Sequence, residues 1–182
     1  RALQGAFSLG ANDGAVQLAL GPQTLDVGPY FPKAIPIRGL TANLSWLRQA
    51  DGWQLSGQGV QLATPALDAY TDFRLTLPAD DSPYLALLAR VDLHDAGQAW
   101  RYYPRLAMGE GLTNYLTQAL QHGQASGATI LWDGRLNEFP YHQGSGVFQA
   151  WVPLQQAVFQ FDPSWRPLSD LSLDLLFAND TL

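Results

Sequence analysis

Apolar and polar positions alternate along most of the chain. In Thr41-Ala42-Asn43-Leu44-Ser45-Trp46, the polar residues fall on one side and Ala42, Leu44 and Trp46 on the other, and the runs 72–77 and 170–175 repeat the pattern. A period of two places successive side chains on opposite faces of an extended strand, so such runs predict a sheet with one apolar and one polar face. The segments 6–9, 15–20, 53–62, 84–93, 129–136, 146–152 and 156–161 read the same way. Turn-forming residues separate them: Asn12-Asp13-Gly14, Ala50-Asp51-Gly52, Pro78-Ala79-Asp80-Asp81 and Asp162-Pro163. These ten runs, mostly joined by short turns, predict an antiparallel sheet.

Residues 95–123 break the alternation. Asp95 has the side chain of an N-cap, and Ala96, Ala99, Trp100 and Tyr103 fall on one helical face before Pro104. A second helix fits 112–121, with a stripe of Leu112, Tyr115, Leu116, Ala119 and Leu120 and Gly123 as its stop. Its other face, Thr113, Asn114, Thr117, Gln118 and Gln121, carries no charge. Such a face suits a sheet rim, another chain, lipid headgroups or a mild surface. The reading is a single unit over 1–182: strands to 94, a helical insertion at 95–123, then strands from 124 to 182.

An internal repeat adds to this. Pro36 to Trp46 aligns with Pro167 to Phe177, and a hairpin-like pair precedes each copy: Gly5-Ala6-Phe7 with Ala15-Val16, and Gly146-Val147-Phe148 with Ala157-Val158. Repeated sheet units bury a continuous surface only when joined to neighbours. The chain opens at Arg1 and closes beside a strand-like run, so we expect a section of a longer chain, with any anchor or targeting segment lying outside it.

Composition narrows the function classes. Charged residues make up 14% of the 182, well below the roughly 25% of an ordinary soluble domain, and the net charge is −6. With no Lys/Arg cluster, nothing could neutralise a row of phosphates, which argues against nucleic acid. Cysteine is absent, which excludes disulfides, thiol nucleophiles and zinc ribbons.

Chemistry-bearing patterns are equally sparse. The chain has no phosphate cradle with lysine, no G-x-S-x-G elbow and no H-E-x-x-H. His94, His122 and His142 lie far apart, so neither a metal site nor any other cofactor is expected. Gly144-Ser145-Gly146 and Asp80-Asp81 read as turns, and Asp170 and Asp174 as the solvent side of a strand. Trp46, Trp53, Trp100, Trp132, Trp151 and Trp165 could stack sugars or build a core.

One stretch has a recognisable character. Tyr102-Tyr103-Pro104-Arg105-Leu106-Ala107-Met108-Gly109-Glu110-Gly111-Leu112-Thr113-Asn114-Tyr115-Leu116, followed by Leu120-Gln121-His122-Gly123, resembles the central region of YhdP-type, AsmA-like bacterial envelope proteins of the AsmA/TamB/YhdP superfamily. Leu131-Trp132-Asp133-Gly134, Phe139-Pro140-Tyr141-His142, Gly146 to Leu154 and Phe161 to Leu168 continue the resemblance. The specific likeness covers about residues 100–182; residues 1–99 are similar only as repeated strands.

The resemblance implies a transmembrane N-terminus outside this piece, a periplasmic location, and a bridge carrying phospholipid between inner and outer membranes. It implies no catalytic residue and no enzyme activity. The implied partners are phospholipid acyl chains, neighbouring segments of the same longer chain and inner-membrane proteins. On that reading the sheet curls into an open groove, lined by Leu44, Trp46, Phe73, Leu75, Leu77, Leu87, Leu173 and Leu175. The competing reading seals most of these residues inside a β-sandwich that binds carbohydrate or protein through exposed Trp residues.

Overall fold

The computed structural model describes residues 6–26, 28, 31, 33–103, 110–179 and 181. Its strands are β1 (Phe7–Leu9), β2 (Asp13–Leu20), β3 (Gln23–Leu25), β4 (Ile35–Ile37), β5 (Gly39–Gln49), β6 (Gly52–Ala63), β7 (Leu67–Pro78), β8 (Tyr84–Leu93), β9 (Leu120–Arg135), β10 (Val147–Phe159) and β11 (Leu168–Ala178). Between β8 and β9 lie a 3-10 segment, Ala96–Tyr102, and the helix α1, Glu110–Ala119. Nine strands form one antiparallel sheet in the order β1-β2-β5-β6-β7-β8-β9-β10-β11, and β3 pairs with β4 separately. β1 and β11 are the two edges of the large sheet, which is therefore not closed into a barrel.

Local chemistry sets the turns and bends. Ala50-Asp51 joins β5 to β6 directly. The Thr64 hydroxyl, fully buried, accepts from the N–H of Ala66 and Leu67 and donates to the Leu67 carbonyl, closing the β6–β7 turn. Two bulges share one device. In β6, Gly59 adopts φ +55 and its N–H donates to Asp72 Oδ1 at 2.7 Å. In β9, Gly127 adopts φ +70, and its N–H (2.8 Å) and the Ser126 hydroxyl (2.9 Å) both reach Asp92 Oδ1. Those two hydrogen bonds hold the Asp92 carboxyl below its usual range. A left-handed residue in a bulge suits glycine, and bulges bend and twist the strand that carries them.

Several expectations are corrected. Most of the 146–152 and 156–161 runs lie in one strand, β10, whose register against its neighbours shifts between Trp151 and Phe159. The second half of the internal repeat therefore has no hairpin, since Val147 and Val158 share that strand; Gly5 of the first half lies outside the described residues. Asp95 caps as expected, its carboxylate accepting from Gly97 N–H at 3.0 Å, but the turns that follow are 3-10 and end at Tyr102; Pro104 is outside the described residues. α1 stops at Ala119 because Leu120 is already paired with Phe159 in the sheet. Gly123 is thus no helix stop: it lies inside β9, packed closely on Ala157. Thr113, placed by periodicity on the polar side of α1, is buried, whereas Tyr115 of the apolar stripe is exposed.

The core is not central. Leu67, Leu93, Ala96, Ala99, Ala119, Leu120, Ala125, Leu154, Ala157 and Phe159 form one buried cluster. The 3-10 segment and the end of α1 thereby cover one end of β7–β10.

Candidate functional site

Register determines which side chains share a face, because directly opposed residues of antiparallel strands point the same way. One row runs Phe7, Val16, Leu44, Gly57, Phe73, Leu87, Trp132 and Phe148, one residue from each of β1, β2 and β5 to β10. The next runs Leu9, Gly14, Trp46, Leu55, Leu75, Leu85 and Gly134. Towards the helical end, another runs Leu20, Leu40, Leu62, Ala69, Val91 and Ala128. The sheet thus carries a continuous uncharged face across at least six strands in each row.

All eight expected lining residues belong to this face. Leu44, Phe73 and Leu87 share the first row, and Trp46 and Leu75 the second. Leu77 lies one step further on, in a row with Trp53 and the charged Arg48, where the uncharged face ends. Leu173 and Leu175 sit on β11 opposite Leu154 and Val152. The structure separates them by environment: Leu173 and Leu175 pack against the buried cluster. Leu44, Trp46, Phe73, Leu75 and Leu87 are half-buried, and Leu77 is exposed. Among the described residues no second large sheet lies over them, so the sandwich reading has no second layer.

Val16, Leu18, Leu55, Leu62, Leu85 and Ile130 also belong to the face, although they were not named as lining. Stepping by two along each strand could have found them. The glycine pairing was less readable. Trp46 lies over Gly14 and Phe73 over Gly57, each so close that a β-carbon on the glycine would overlap the ring. Each large aromatic thereby rests on the neighbouring strand's backbone, which keeps the face low.

At the opposite end of β9 and β10 from the helices, residues 139–148 fold an aromatic plug onto Trp132. Phe139 stacks on it with centroids 5.1 Å apart and Phe148 meets it edge-on at 5.0 Å. Trp132 Nε1 donates to the Tyr141 hydroxyl at 2.7 Å, and Tyr141 itself is only 1% exposed. Burial pushes the Tyr141 phenol up from its ordinary value.

The remaining tryptophans do not build one platform. Trp151 is exposed on the other face, opposite Leu176 and Thr129; Trp165 is exposed in the β10–β11 connection, and Trp53 stacks near Arg48. That polar face also carries a shallow cleft of about 530 Å³ among Thr41, Gln61, Tyr70 and Arg90. Its Asp68 accepts from Arg38 at 2.7 Å and pairs with His94 at 3.0 Å. Burial would raise the Asp68 carboxyl, but the His94 and Arg38 contacts outweigh it and lower it. Among the described residues no three His, Cys, Asp or Glu side chains converge as metal ligands. No described helix is long and apolar enough to cross a membrane.

Fold and site together define a mainly-β protein built on one open antiparallel sheet with a continuous apolar face. The chain belongs to the YhdP family, whose model matches residues 1–182. It is 35% identical over 178 residues, 98% of its length, to the protein named intermembrane phospholipid transporter YhdP of Escherichia coli strain K12. It spans 14% of that relative's length. No solved structure matches.

Proposed function

We propose that the apolar face is a lipid-bearing groove, and that this chain is one section of a periplasmic bridge-like protein carrying phospholipid between the inner and outer membranes. The observation that carries the reading is the set of unbroken uncharged rows, half-buried over β2 and β5–β7 and, among the described residues, without a second large sheet over them. The relative's name, an intermembrane phospholipid transporter, supports the cargo.

The energetics give the groove its purpose. Each buried methylene is worth about 0.8 kcal/mol, so exposing two sixteen-carbon tails to water costs on the order of 25 kcal/mol. A face that covers the tails while the headgroup stays wet removes most of that barrier. Transfer of this kind breaks no covalent bond, so it asks for placement of apolar area and for no catalytic group.

Native mass spectrometry of the purified chain tests the proposal. Phospholipid should co-purify with the unaltered protein, and Leu75→Asp, which puts a charge in the middle of a row, should reduce the bound fraction at least about tenfold. Lipid-free unaltered protein, or equal loading of folded Leu75→Asp, would overturn it.

A further inference from the structure

Trp100 has two cations against its ring. Lys33, the sole lysine of the chain, comes from the β3–β4 connection and places Nζ 5.4 Å from the indole centroid. Arg101 comes from the 3-10 segment and places Cζ 4.7 Å from the same ring. The indole attracts each, but the cations repel one another. Among the described residues neither forms an ion pair with a carboxylate; Arg38 and Arg135 do, while Arg48, Arg74, Arg90 and Arg166 do not. Arg101 Nε is buried and has no hydrogen-bond partner. In a chain of net charge −6, an unneutralised pair of cations with an unsatisfied buried N–H is an unmet demand for an anion.

Position says which anion. Ala99 and Tyr102, flanking Trp100 and Arg101, pack onto the cluster around Leu67 and Leu93, with Ala69 and Val91 beside it. From Ala69 the same apolar row continues through Leu62 and Leu40 to Leu20, all half-buried. Trp100 and Arg101 thus sit on the segment that covers the apolar face, with Lys33 reaching the indole from the β3–β4 connection. A free anion has no use for an apolar face. A molecule with a phosphate at one end and hydrocarbon at the other fits both parts.

The geometry points to Lys33, Trp100 and Arg101 as a recognition site for the phosphodiester of a glycerophospholipid, its tails directed onto the Leu20–Ala69 row. The guanidinium supplies a planar fork for two phosphate oxygens, the lysine a point charge, and the indole the amphipathic boundary between head and tail. This assignment rests on the groove reading and adds recognition of the lipid phosphate to it.

Its test compares two fluorescent lipids with identical acyl chains, a phosphatidylglycerol and a diacylglycerol, binding to the full chain. Charge-assisted phosphate contacts should favour the phosphatidylglycerol about tenfold, and the preference should shrink with added salt. Lys33→Gln with Arg101→Gln should bring phosphatidylglycerol down to the diacylglycerol level and leave diacylglycerol unchanged. Should the double variant lose its fold, Lys33→Gln alone, at an exposed side chain, should lower phosphatidylglycerol binding about threefold. Equal binding of both lipids by the unaltered chain, or a preference that survives the substitutions, would overturn the site while leaving the groove standing. Binding of neither lipid would overturn both. If inorganic phosphate alone raises the melting temperature of the unaltered chain but not of the double variant, while the lipids bind alike, the site takes free phosphate and the lipid assignment fails.

Discussion

The two halves of the sheet use the same apolar face differently. Over β7–β11 it is roofed: helical turns and Phe159 close over Leu154, which is 1% exposed, and the aromatic plug closes over Trp132, which is 5% exposed. Over β2–β7 the equivalent positions Leu44, Trp46, Phe73 and Leu75 stay half-covered. Similar residues in the same alternation thus build a core on one side and an open surface on the other. Pattern fixes the face; what the connections place over it decides whether the face is core or working surface.

The largest test of that contrast is in stability. Leu154→Ala should cost about 3 kcal/mol, because the roofed site leaves a cavity, while Leu75→Ala should cost about 1 kcal/mol. Denaturant unfolding of the two variants checks this, and equal losses would erase the distinction.

Alkaline pH should sharpen it further. Burial pushes the Tyr103 phenol, packed against the roofed cluster, up to about 12 from its ordinary 10. The folded state therefore keeps a proton that the unfolded chain releases, so this contribution is intact below pH 10 and is lost as pH rises towards 12. Across that window Tyr103→Phe should spare about 2 to 3 kcal/mol of the decline shown by the unaltered chain, read as the difference in unfolding free energy. Parallel pH curves would place Tyr103 in contact with water.

The smallest effect lies on the open side. A β-carbon at Gly59 meets nothing closer than the Tyr70 hydroxyl at 3.8 Å, so Gly59→Ala suffers only from its φ of +55. That should cost about 1 kcal/mol. A thermal melt would detect it, and an unchanged midpoint would show that the bulge relaxes without penalty.

Most of the open half could be read in advance. Period-two runs located β5, β6, β7 and β8 to within a few residues, because each has one wet and one dry face. Reading failed where tertiary contacts override pattern. Residues 120–128 alternate poorly, with Gly123, Gly127 and six other small or polar positions, yet they form the start of β9, because β8 and β10 supply partners on both sides. β3 and β4, of three residues each, are too short to carry a period. The aromatic plug rests on Gly134 and Gly146 lying beneath Tyr141, a proximity between distant positions that spacing along the chain does not disclose. The eight expected lining residues share one face, but which of them are roofed depends on the 95–119 connection.

The rows also act as a ruler. Neighbouring strands lie about 4.8 Å apart, and one lipid tail occupies about half of a 30 Å hydrocarbon layer, or roughly three strand spacings. On the proposed groove reading, a tail lying along the open part of the row from Val16 to Leu87, which crosses five strands, would touch about four of them at once. Advancing by one strand would then exchange only a quarter of its contacts, so a proposed passage across the sheet would take short, shallow steps with no single release.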